Sequence, residues 1–134
     1  MIIFAKSFPE GAYTRGGPTN ALYAKSESGY MDDEPYLSWF TKIFLKYCTP
    51  ERPDVLVQDG HKSHSTVDLI DLAHANDVIL FNLLPHTTHA TQPLDKNIFK
   101  PLKSAFANVL KSITFARQDF TLSKSDFPRM FTQP

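Results

Sequence analysis

Val55-Leu56-Val57-Gln58-Asp59-Gly60-His61 is the stretch that decides how this chain is built. Val-Leu-Val is an apolar run with two β-branched members, and it reads as a short buried strand. Pro53 precedes it and Gly60 follows it. Proline is tolerated where a strand begins, and glycine lets the chain turn away sharply. Asp59 therefore stands at the carboxyl end of a core strand, where open α/β sheets bind their ligands. Taken alone, such an acid is more simply a turn or helix-capping residue. Its meaning depends on what surrounds it.

Downstream, Gly60 to Ser65 leads into a predicted helix from about Thr66 to Ala75, with Ser65 as N-cap and Val67, Leu69, Ile70, Leu72 and Ala73 on its apolar side. Val78-Ile79-Leu80-Phe81 is the next strand. Strand, helix and strand in so short a span make a crossover unit, so the two strands pair in parallel. Leu83 to Pro93 is irregular. A long helix then begins near Asp95, with Ile98, Leu102, Ala105, Phe106, Val109 and Ile113 on one face. Pro101 predicts a kink or a later true start, because its ring clashes with the preceding turn.

Upstream, Asp32-Asp33-Glu34-Pro35 opens a helix. An Asp caps it, acids fill its first turn, and the proline sits where a missing N–H costs little. Tyr36, Leu37, Phe40, Ile43, Phe44 and Tyr47 form its apolar face. Ile2 to Ala5 and Leu22-Tyr23-Ala24 read as strands on either side of a Gly/Pro-rich loop. Within that loop Thr14-Arg15-Gly16-Gly17-Pro18 reads as a turn. It lacks the Lys-Ser/Thr that a phosphate cradle requires. From Arg117 the chain turns polar, and Asp119 to Pro134 is expected to be a loosely held tail with a turn of helix near Ser125. These elements predict an α/β fold with a mixed sheet and flanking helices, in one domain over residues 1–115 and a tail over 116–134.

Length and charge narrow the function. The chain has 134 residues, enough for one domain with a core. Lys+Arg and Asp+Glu are both 14, which argues against a free-standing DNA-wrapping module but not against a catalytic domain. No apolar run approaches the ~18 residues of a membrane span. Cys48 is a lone cysteine on an apolar helix face and reads as a small core residue.

Asp59 ends a strand and Asp95 starts a helix after the next strand, so both can reach one edge of a sheet. Carboxylates converging at such an edge hold Mg²⁺ through hard oxygen ligands. Paired ions roughly 3.5–4 Å apart can activate a nucleophile and stabilise the leaving oxygen of a phosphodiester. Spacing alone is weak support. The flanking words are more specific: Asp59-Gly60-His61-Lys62-Ser63-His64, Leu84-Pro85-His86-Thr87-Thr88-His89, Gln92-Pro93-Leu94-Asp95 and Ile98-Phe99-Lys100-Pro101-Leu102-Lys103. Together with Ile2-Ile3-Phe4, Gly16-Gly17-Pro18 and Trp39-Phe40 they resemble the DDE superfamily endonucleases of the pogo, Tigger and jerky type, from the first strand to about Ser112.

That resemblance implies a ribonuclease-H-like fold, here partial, and a triad of acids using Mg²⁺ or Mn²⁺ to cut and join DNA. By motif match Asp59 is the second acid and Asp95 the third, each as catalytic residue and metal ligand. The family's first acid lies upstream of the segment that Ile2-Ile3-Phe4 resembles, and Glu10, Asp32 and Asp33 do not replace it. The expectation is a truncated core, inactive alone and weak in metal binding, with an uncovered sheet edge that favours self-association. The resemblance further implies DNA as partner and the nucleus as location. A host-adopted module that binds nucleic acid or protein without catalysis is the rival.

The remaining polar residues are weighed against simpler roles. His61 and His64 share an i, i+3 spacing, but no further ligand has zinc spacing. In the family pattern that the chain resembles, the residue at His64 orders the loop after Asp59, and positioning substrate phosphate is the alternative. His86 and His89 read as loop hydrogen-bonding residues, and His74 as solvated. Lys96, Lys100 and Lys103 form a basic stripe beside Asp95. It is either a soluble helix face or a contact to DNA backbone, and the latter carries no sequence information.

Overall fold

The computed structural model describes residues 1–60, 65–83, 94–116 and 121–132, with the side chains of Asp95 and Lys96 outside the description. The chain divides into two compact units. One comprises Gly29–Gln92, the other Met1–Ser28 together with Pro93–Pro134.

The unit Gly29–Gln92 is the predicted crossover with a helix in front of it. Helix α1 (Asp33–Trp39) starts at Asp32, whose carboxylate accepts the Asp33 N–H at 3.0 Å. It runs into a π-helical turn (Phe40–Phe44) and a last α-helical turn, α2 (Leu45–Tyr47). The widening has a local cause. The Thr41 hydroxyl donates to the Leu37 carbonyl at 2.5 Å, the oxygen that the Thr41 N–H would use in a regular helix. Strand β3 (Asp54–Gln58) pairs in parallel with β4 (Val78–Asn82), in a register of Leu56 with Leu80 and Gln58 with Asn82. Between them runs α3 (Val67–Ala75). Tyr36, Phe40, Leu69, Ala73 and Val78 make the core.

Two details of α3 differ from expectation. Its N-cap is Thr66, not Ser65: Thr66 Oγ1 accepts the Leu69 N–H at 3.4 Å. Only Leu69 and Ala73 are buried, whereas Val67 and Ile70 are exposed. The core stripe of α3 is therefore narrower than its run of aliphatic residues suggests.

The other unit holds β1 (Ile2–Ala5) in parallel with β2 (Tyr23–Ser26). Both ladders among the described residues are therefore parallel and two-stranded, where a mixed sheet was expected. The structure is α/β. The Gly16-Gly17 turn has a packing reason: Gly16 has φ +77°, and a Cβ on Gly17 would meet the Tyr23 hydroxyl and Pro128 Cβ. A π-helical turn (Asp95–Phe99) leads into α4 (Lys100–Ala116). Pro101 supplies no N–H to the ladder, and a widened turn before it relieves its ring. A 3₁₀ turn (Phe127–Phe131) follows in the segment expected as a loose tail. Pro128 and Met130 are buried there, and Phe127 and Phe131 pack on Phe106 of α4 with ring centroids 5.5 Å apart. Lys124 donates to the Ala5 carbonyl at 3.2 Å, and Arg129 to the Arg15 carbonyl at 3.2 Å. These contacts hold the turn against the β1–β2 part of its own unit.

Candidate active site

Asp59 follows directly on the last residue of β3, at the carboxyl end of the parallel pair, and is half-buried. The site below it is polar. Gln58 is 6% exposed, a buried amide at the end of β3. Its Oε1 accepts the Tyr36 hydroxyl of α1 at 2.5 Å. Its Nε2 donates to Asn82 Oδ1 at the end of β4 at 2.7 Å. Asn82 Nδ2 in turn donates to Ser65 Oγ at 3.5 Å, the longest link of the chain. The Leu83 N–H closes the strand ends by donating to the Gln58 carbonyl at 2.8 Å.

Burial, and after it the negative charge of Asp59, push the Tyr36 phenol well above the ordinary tyrosine range. Both causes disfavour a phenolate. Tyr36 thus remains a donor, which suits its bond to the Gln58 carbonyl oxygen.

Of the residues singled out in the sequence, Asp59 lies in the Gly29–Gln92 unit and Asp95 in the other. Asp95 opens the π-helical turn before α4. Lys100 and Lys103 are exposed in the first turn of α4. His61, His64, His86 and His89 lie outside the described residues, as does the Lys96 side chain. His74 is exposed on α3. The Asp32-Asp33-Glu34 trio caps and charges the start of α1. Cys48 is half-buried, and its sulfur accepts from Arg52 at 3.3 Å.

Among the described residues no group of three or more His, Cys, Asp or Glu side chains could hold a metal ion. Asp59 alone does not supply the donor set of a divalent cation, so no catalytic step follows from the described side chains. Tyr36, Gln58 and Asn82 are the site residues that pattern reading missed. Tyr36 counted only as apolar face. Gln58 carried a signal: strand alternation puts it on the same face as Leu56, toward the core.

Comparison with known proteins gives the class. The family model described as "DDE superfamily endonuclease" matches residues 1–126, and the chain belongs to that family. It is 30% identical over 117 residues, 84% of its length, to a Cochliobolus lunatus protein named "MFS-type transporter clz9". It is 28% identical over 88 residues, 65% of its length, to the human "Pogo transposable element with ZNF domain". The chain spans 13% of the first relative and 6% of the second. No solved structure matches it. Among the described residues no helix is long and apolar enough to cross a membrane.

Proposed function

We propose that these 134 residues carry the second and third acids, Asp59 and Asp95, of a metal-dependent DNA endonuclease and strand-transfer domain with a ribonuclease-H-like fold. The observation that carries this is the family match over residues 1–126, which contains both acids with their flanking motifs. The parallel β3–β4 pair supports it, because Asp59 stands where such sheets bind ligands. Mg²⁺ or Mn²⁺ is the ion in this reading. Three carboxylates are needed and two are present, so the chain by itself holds the ion weakly and does not cut. The partner is DNA and the location nuclear, in line with the pogo-element relative. Lys96, Lys100 and Lys103 contact the DNA backbone, and His64 orders the loop beside the substrate phosphate. Residues 1–115 form the catalytic part, and self-association goes through a strand edge.

Plasmid nicking tests the reading. The chain alone is expected to be silent with either ion. Fusion to an N-terminal strand bearing the first acid restores nicking, and Asp59→Asn or Asp95→Asn in the fusion abolishes it. Nicking by the unextended chain that survives Asp95→Asn would show that other residues do the chemistry. A fusion that binds DNA but never nicks would favour a module that kept the fold and lost the reaction.

A further inference from the structure

The chain of side-chain hydrogen bonds beneath Asp59 has a cost that packing alone does not explain. Gln58 faces the core beside Leu56, where an aliphatic side chain would need no partners. A buried amide left unsatisfied is destabilising, so its bonds constrain the geometry around it. Those bonds run to two other elements: to Tyr36 on α1, and to Asn82 at the end of β4. The main-chain bond from Leu83 adds a third tie at the same residue. Gln58 is thus held from both sides, one residue before the candidate catalytic acid.

We infer that Gln58 is a positioning residue: gripped between the Tyr36 hydroxyl and the Asn82 amide, it fixes the direction in which the backbone leaves β3 and so aims the Asp59 carboxylate. The inference rests on the reading of Asp59 as an active-site acid. Its chemistry is in the amide. Oε1 accepts from the phenol while Nε2 donates to the strand opposite, and only a side chain with both functions satisfies both neighbours. Leucine fills the space without either bond. Glutamate offers an acceptor to Tyr36 and no donor to Asn82.

The test uses the whole 134-residue chain and nuclear magnetic resonance. Tyr36→Phe keeps the ring and removes the donor; Gln58→Leu keeps the volume and removes both links. Both variants are expected to fold. In both, the Asp59 backbone amide and carboxylate carbon shift and broaden, and the Asn82 side-chain amide moves toward its solvent-exposed position. The double variant is expected to look like Gln58→Leu alone, since leucine at position 58 already removes both links. If Gln58→Leu fails to fold, Tyr36→Phe and Asn82→Ala carry the test, each cutting one side of the grip. Unchanged Asp59 signals in a folded variant whose Asn82 signals have moved would make Gln58 a packing residue and overturn the inference. Failure of the active-site reading is seen separately: Asp59→Asn would then leave nicking by the extended protein intact, whatever the resonances show.

Discussion

The two parallel strand pairs are built from different materials. β3 and β4 are joined through a helix, and their core is aliphatic and aromatic side chains at regular spacing, with Phe40 and Leu69 fully buried. β1 and β2 are joined by a loop, and aromatic rings from the strands and the loop pack on one another. Phe4 meets Tyr13 edge-on at 5.5 Å, Phe8 stacks on Tyr13 at 5.5 Å, and Tyr13 meets Tyr23 at 5.8 Å. The first pair depends on periodic burial. The second depends on a few large rings and on two glycines that let neighbours approach. A crossover of the first kind tolerates change where its helix faces water. A loop of the second kind is sensitive at single points.

The largest expected effect lies in the first pair. Phe40→Ala removes a fully buried ring from the Gly29–Gln92 core and is expected to cost about 3–5 kcal/mol. Urea unfolding followed at residues of that unit measures it, and a loss below a third of that figure would mean the core is not centred on Phe40. In the second pair, Gly17→Ala forces a methyl against the Tyr23 hydroxyl and Pro128. Overpacking at such a site costs about 1–3 kcal/mol, read from the same unfolding curves. A neutral outcome would show that the turn yields easily, and the contrast between the pairs would fall away.

A smaller effect decides the register of α3. Thr66→Ala is expected to cost ~1 kcal/mol and Ser65→Ala less than half as much, because Thr66 is the residue that caps the helix. Equal losses would move the helix start back to Ser65. The smallest effect belongs to alkaline pH. The Tyr36 phenol holds its proton longer when folded than the usual value of about 10 in an unfolded chain. Above that value the unfolded state has released a proton that the native state keeps, so stability contributed by Tyr36 falls as pH rises. Tyr36→Phe is expected to flatten that alkaline decline, as followed by thermal unfolding at successive pH values.

The comparison also explains what was legible in the sequence. The β3–α3–β4 crossover was legible from its two apolar runs and the helix between them, but the burial of the runs was not: Val55, Val57, Ile79 and Phe81 are exposed. The cap of α3 was not, because Ser65 and Thr66 are both capping residues and only the bond from the Leu69 N–H to Thr66 Oγ1 distinguishes them. The role of Phe127 to Phe131 was hidden as well. Arg129 and the following Thr132 bond to the Arg15 and Gly16 carbonyls at the other end of the chain, and local composition carries no trace of such a contact. At the site, Asp59 was legible from its place after a strand and from its motif. The Tyr36–Gln58 bond was not, for it joins residues 22 apart in sequence and uses the polar tip of a side chain whose ring already had a reason to be buried.

The proposed function has Asp59 and Asp95 both acting as metal ligands. Manganese titration of the ¹⁵N-labelled chain tests it most directly, because the paramagnetic ion broadens only the signals near which it binds. The account predicts weak binding in which the signals of residues 59 and 95 broaden in parallel, with the same dependence on Mn²⁺. Broadening at Asp59 without Asp95, or at Asp32 to Glu34 while both stay sharp, would contradict it.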